Sequence, residues 1–431
     1  MKNKKETLLI LIILITISII IFNRDKLYEA KYIEPKDTLL AITINGEIST
    51  TFPTTNAYTG TVECTTGTGK VEWNGTKWVL TTSGITKGST KCNATFITKV
   101  PTFAETILAN NEVKTPITTP GAAISTASEA LLASTEDDYG TSYYFRGAVK
   151  NNYVQFANKC WRIVRVGGDG SVKLILHNDN TAGASNPCDV ANNSASAAFA
   201  RYSGTTYKSA FNSSYNDNAY VGFKYGTVGA STYEATHANT NNSTILTNLE
   251  TWYTNNLAAY ESVIDDNAWC NDKTNVTDTT FNLWNWSNVT GLGYGTNTTF
   301  YSATQRLVSK SGSAGGTSPS LKCTGELSKI NSKVGLITAD ELAFVGYAYG
   351  YELQNSTTYL QENVTDTFWW SLSPYYFDGS YASVWNVGGD IGLFSNSYVY
   401  STFGVRPLIS LKSTTNATGN GTSNSPFIIS M

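Results

Sequence analysis

Apolar positions along this chain recur mostly at period two, the spacing of half-buried strands. The exception is LLILIILITISIIIF at residues 8–22, which carries no charge and follows Lys2, Lys4 and Lys5. At ~1.5 Å rise per residue this run is just long enough to span a bilayer with snorkelling lysines. No small-x-small cleavage site follows it. It predicts an uncleaved transmembrane signal anchor at 8–22, a cytoplasmic tail at 1–7 and a stalk at 23–37. The protein would then sit in the cell membrane as a single-pass chain with its bulk extracellular, or be secreted if the segment is cleaved.

Residues 38–100 read as short alternating strands separated by turn residues. ITING ends in Asn-Gly, a hairpin signal, and VEWNGTKWVL repeats it. Cys64 and Cys92 fall in two of these strands, with Trp73 and Trp78 between them, as in a small β-sandwich closed by one disulfide. KTPITTPGAAISTASEALLASTEDD breaks the pattern, and 101–138 reads as a linker with one short helix near its end. A second domain, 139–431, opens with strands in which Val154, Phe156, Trp161, Ile163 and Val166 alternate. Farther on, Ile245, Leu246, Leu249, Trp252, Tyr253 and Leu257 share one side of an amphipathic helix. Thr338 with Glu341 three residues on forms a capping-box signature, and SPFIIS reads as a closing strand. The class expected overall is α+β.

Composition narrows the function. Charged residues make up 15% of the 431-residue chain and the net charge is -3, which argues against nucleic acid as a partner. Six cysteines without a CxxC pair point to disulfides in an oxidising compartment. Pairing within each domain over modest loops gives Cys64–Cys92, Cys160–Cys188 and Cys270–Cys323.

The segment 368–411, FWWSLSPYYFDGSYASVWNVGGDIGLFSNSYVYSTFGVRPLISL, is the most unusual stretch. It is rich in aromatic, Gly, Ser and Asn residues and has no Lys, Glu, Gln, His or Cys. Either it is a buried sheet or it is a surface built to bind.

SYYFRGAVKNNYVQFANKCWRIVRVGGDGSVKLIL, YEATHANTNNSTI, WCND, GLITADELAF, FWWSLSP and GVRPLISLK occur in this order. Together they resemble an uncharacterised family of Gram-positive gut-bacterial surface proteins. The C-terminal domain of that family is similar to the C-type-lectin-like fold of diversity-generating-retroelement variable proteins. The segment at 38–100 resembles the immunoglobulin-like module that often precedes it. The resemblance implies an exposed face of short strands carrying the variable residues, with a composition like that of residues 374–402. Tyr gives contact area at small entropy cost, and Ser, Asn and Gly give adaptable hydrogen bonds. The ligand-binding residues expected on this ground are Tyr375, Tyr376, Phe377, Asp378, Tyr381, Asn386, Asp390, Phe394, Asn396, Tyr398 and Tyr400. Trp369, Trp370, Val384, Trp385, Val405, Leu408 and Ile409 should be framework, and Arg406 structural.

Catalytic chemistry finds little purchase. His177 and His237 are the only histidines, and neither lies in a nucleophile or metal-ligand pattern. No nucleophile elbow, EF-hand or phosphate-binding loop occurs. Asp340 and Glu341 suit a helix start, and the equal spacing of Asp366, Asp378 and Asp390 reads as coincidence. WCND at residues 269–272 lacks the companion motif of a calcium-dependent sugar site. The expectation is a non-catalytic cell-surface recognition or adhesion protein without metal or cofactor, binding a protein or glycan. A structural envelope protein and an envelope-active hydrolase are the alternatives.

Overall fold

The computed structural model describes residues 38–124, 129–266, 268–325, 327–353 and 357–430. The expected tail, anchor and stalk at 1–37 lie outside these residues. Among the described residues no helix is long and apolar enough to cross a membrane, so the anchor finds no support in the structure.

The chain divides into two compact units at Val100. In the first, a four-stranded sheet runs Glu47–Ser49, Leu39–Ile44, Lys91–Thr98, Tyr58–Cys64. Leu39–Ile44 lies parallel to Lys91–Thr98, whereas the other neighbours are antiparallel. Asn45 and Gly46 both take positive φ, as a two-residue hairpin turn demands. A separate hairpin, Thr68–Trp73 with Trp78–Ser83, turns at Asn74-Gly75, where the Asn74 side chain accepts from the Thr76 and Lys77 amides. Leu40, Ile42, Val71, Trp78, Ala94 and Phe96 form the core, with Trp78 edge-on to Phe96.

The second unit is built on two larger sheets. One runs Ile264–Asp265, Leu408–Leu411, Val172–Asn178, Lys159–Val166, Tyr153–Phe156, Phe427–Ile429, Ala417–Thr418. The hairpin Ala130–Asp137/Gly140–Gly147 joins it through Lys159–Val166. The other runs Lys208–Ala210, Thr402–Gly404, Trp369–Phe377, Ala382–Val387, Phe394–Tyr398, with Thr299–Phe300 also paired to Trp369–Phe377. The helix Thr244–Asn256 is capped by Ser243 and buries Ile245, Leu246, Leu249, Trp252 and Tyr253. Thr338 and Glu341 make the reciprocal capping box of Ala339–Val345.

Twenty-five strands against five short α-helices make the described residues mostly β, which corrects the α+β expectation. The segment read as a linker belongs to the second unit. It supplies a capped helix, Phe103–Ala109, and the expected helix near its end is the strand Ala130–Asp137. Ala, Leu and Glu favour helix locally, but eight consecutive pairings with Gly140–Gly147 override that preference.

All three disulfides are formed, Cys64–Cys92, Cys160–Cys188 and Cys270–Cys323. Cys64 and Cys92 stand directly opposite each other in their sheet.

Candidate functional site

The strand Trp369–Phe377 is buried along its whole length because it is paired along both edges and covered on both faces. Pro374 sits where the register to Ala382–Val387 shifts, a bulge that spares the sheet the missing amide. Consequently Tyr375, Tyr376 and Phe377 are not surface residues. Tyr375 packs on Trp385 at 4.7 Å, and Tyr376 lies 5.2 Å from both Trp284 and Trp286. Phe394 is buried against Trp385 at 4.5 Å. Asn386 is also fully buried, and neither atom of its amide finds a protein partner. These five positions correct the expected binding face. Alternation failed as a guide there, since a sheet covered on both sides buries consecutive side chains. Trp369, Trp370, Val384, Trp385, Val405, Leu408 and Ile409 are buried as framework.

The remaining expected residues divide by position. Asp390 is exposed in the turn after Ala382–Val387, where its own carboxylate accepts from the Ile391 amide. Six strand residues, roughly 20 Å at ~3.3 Å each, separate it from the other end of the hairpin. At that end Asp378, Tyr381, Tyr398 and Tyr400 reach solvent, and Asn396 does so mid-strand, opposite Trp385. They are joined by Tyr215, which the sequence reading missed. Tyr215 stacks on Tyr381 with ring centroids 5.1 Å apart and lies 4.9 Å from Tyr400. Tyr398 lies 4.8 Å from Tyr381 and 5.8 Å from Tyr400. Tyr215 and Tyr400 are 38% and 43% exposed, so the cluster presents aromatic surface to water while bracing itself.

Backbone geometry fixes this cluster to the sheet. The Asp378 carboxylate accepts from the amides of Ser380 and Tyr381 at 2.8 and 2.7 Å, around Gly379 at positive φ. The Ala382 amide donates to the Tyr215 carbonyl at 2.8 Å, which holds the segment around Tyr215 against the strand. Ser383 donates to the Asn396 side chain at 2.9 Å. Burial, and after it the neighbouring Tyr398 and Asp378, pushes the Tyr376 hydroxyl far above its ordinary range; Tyr398 is raised by burial too. Both phenols therefore stay neutral. Asp378 and Ser380 also border an open cleft of about 820 Å³, lined by Trp286, Asn288, Thr296 and Asn297. Its polar groups are almost all uncharged amides and hydroxyls.

Groups with chemical potential elsewhere are engaged in structure. His237 is buried, with Nε2 2.8 Å from the Gly293 carbonyl, and burial with nearby Lys273 drops it to about 3. His177 is likewise pushed well down by burial and by Arg162. Asp366 binds Lys208 at 2.8 Å and Tyr207 at 2.9 Å, so Asp366, Asp378 and Asp390 do not converge. Asp272 of the WCND stretch and Asp340 share Arg306, while Glu341 takes Arg165 and Lys173. Among the described residues no group of three or more His, Cys, Asp or Glu is placed to hold a metal. No family model, no curated protein and no solved structure matches this chain.

Proposed function

We propose a non-catalytic recognition protein that acts outside the cytoplasm and seats a protein or glycan on the tyrosine cluster of Tyr215, Tyr381, Tyr398 and Tyr400. The observation that carries this reading is the mutual packing of four solvent-reaching rings, drawn from separated segments, at one end of a buried sheet. Contiguous exposed aromatic surface normally marks an interaction site, and rigid aromatic anchors supply most binding energy in interfaces. Asp378 and Asn396 at the margin would tune specificity. Three disulfides suit an oxidising compartment.

A purely structural role is the second reading, favoured by the burial of Tyr375, Tyr376, Phe377, Asn386 and Phe394. Arrays of glycans and bacterial or host surface proteins, probed with labelled protein and with a Tyr381→Ala/Tyr400→Ala variant, separate the two. Saturable binding that the variant loses supports recognition. Absence of binding, or binding unchanged in the variant, leaves the structural role.

A further inference from the structure

Arg406 is completely buried, and its contacts do not balance its charge. Nε donates to the Leu176 carbonyl at 3.0 Å and Nη1 to the Leu360 carbonyl at 2.7 Å. Among the described residues it makes no ion pair, and Nη2 has no partner. The nearby Arg162 is buried as well and takes the carboxylate of Glu362 at 3.1 Å, which also receives Lys150. Glu362 is thus taken up by Arg162 and Lys150, and among the described residues Arg406 has no carboxylate of its own. An uncompensated buried charge costs several kcal/mol in general.

The unpaired groups around Arg406 include two further donors. Among the described residues the Tyr359 hydroxyl, Trp369 Nε1 and His177 Nδ1 are all buried without a hydrogen-bond partner. Each belongs to a residue tied to Arg406. His177 follows Leu176 and Tyr359 precedes Leu360, the two residues whose carbonyls hold the guanidinium. Trp369 lies beneath it, 4.9 Å from ring centroid to guanidinium carbon. Arg406 Nη2, the Tyr359 hydroxyl and Trp369 Nε1 are therefore three donors left over beside an excess of positive charge. One water molecule accepts two hydrogen bonds and neutralises nothing.

We infer that a small monovalent anion, with chloride as the prime candidate, is bound beside Arg406 Nη2 and accepts from the donors of Tyr359 and Trp369. Burial meanwhile pulls Arg406 down to about 10, as befits a guanidinium short of counter-charge. A site this enclosed takes its ion during folding rather than by diffusion into the folded protein.

The test is to unfold and refold the full chain, disulfides intact, in sodium bromide or in sodium gluconate at equal ionic strength, and then desalt. About one bromide per chain should remain by elemental analysis. Crystals of the bromide form should give an anomalous peak at Arg406, and the melting temperature should be higher in bromide than in gluconate. Tyr359→Phe, which keeps the ring and removes one donor, should weaken bromide about tenfold, the worth of one hydrogen bond to a charged group. It is the informative variant because Arg406→Gln also releases the Leu176 and Leu360 carbonyls, so its loss of stability would not report on the ion. No retained bromide, no anomalous peak and one melting temperature in both salts would overturn the site in favour of water.

Discussion

Tyr381 and Tyr215 stack with their planes 17° apart, and the Ala382 amide bonded to the Tyr215 carbonyl ties their backbones together. Substitution should therefore separate binding from folding by position. Tyr400→Ala, at the exposed rim, should cost less than about 1 kcal/mol in chemical denaturation. Tyr375→Ala, which empties a site walled by Trp385 and Tyr349, should cost about 3–5 kcal/mol. Equal losses at the two positions would show that the cluster is core.

Glu129 and Arg146 form an ion pair at 2.7 Å with both side chains out of solvent. The carboxylate also accepts from the Ile117 and Thr118 amides, and the guanidinium donates to the carbonyls of Ala343, Phe344 and Thr118. Glu129→Ala would leave a buried cation and several unpaired amides, so the melting transition should weaken by about 3–5 kcal/mol.

Stability should rise with pH from about 4 to about 9. His177 and His237 are held below 6.5 by burial, so the folded protein keeps them neutral while the unfolded chain takes up protons as pH falls below 6.5. Their contribution is complete above 6.5 and lost at roughly 1.4 kcal/mol per pH unit for each histidine as acid is added. For His237 the loss continues to about 3. Lys273, buried and pulled down to about 7, acts with the same sign between 7 and its ordinary 10.5. His237→Gln should reduce the slope of unfolding free energy against pH between 6 and 4. A slope unchanged by that variant would place the effect elsewhere.

A further loss belongs below pH 4.5. Burial opposes ionisation of Glu341 and Glu362, yet Lys173 and Arg165 hold the first at about 2, and Arg162 with Lys150 holds the second at about 2. Their stabilisation is present above 4.5 and disappears as pH falls toward 2. Glu341→Gln should blunt acid unfolding while lowering stability at neutral pH, since it breaks the pairs to Arg165 and Lys173. Circular dichroism across pH 2–5 reads both effects.

Cys270–Cys323 closes a loop spanning 53 positions, worth about 4 kcal/mol in the chain-entropy model. Replacing both cysteines with Ser should lower the melting temperature. Peptide mapping of that variant should leave the other two disulfides in place.

What could be read without coordinates was local. Thr338 with Glu341, Asn45 with Gly46 and the apolar side of 245–257 each carry their instruction within a few residues. The exposure of Tyr375 through Phe377 depends on Trp284, Trp286 and Tyr349, which are distant in sequence and show no periodic relation to that strand. Tyr215 stayed hidden for a related reason. It lies in a polar Asn- and Ser-rich tract and gains its role only when the Ala382 amide bonds to its carbonyl. Ala130–Asp137 is a strand because Gly140–Gly147 pairs with it, against its own helical leaning.

The place of Phe427–Ile429, parallel to Tyr153–Phe156 and antiparallel to Ala417–Thr418, sets the order of events at synthesis. Leu408–Leu411 is likewise inserted between Val172–Asn178 and Ile264–Asp265. The larger sheet therefore cannot close until residues 408–429 have left the ribosome. Pairings this remote along the chain make for slow folding. The unit of residues 38–100 has no such dependence and can be complete while its successor is still an open chain.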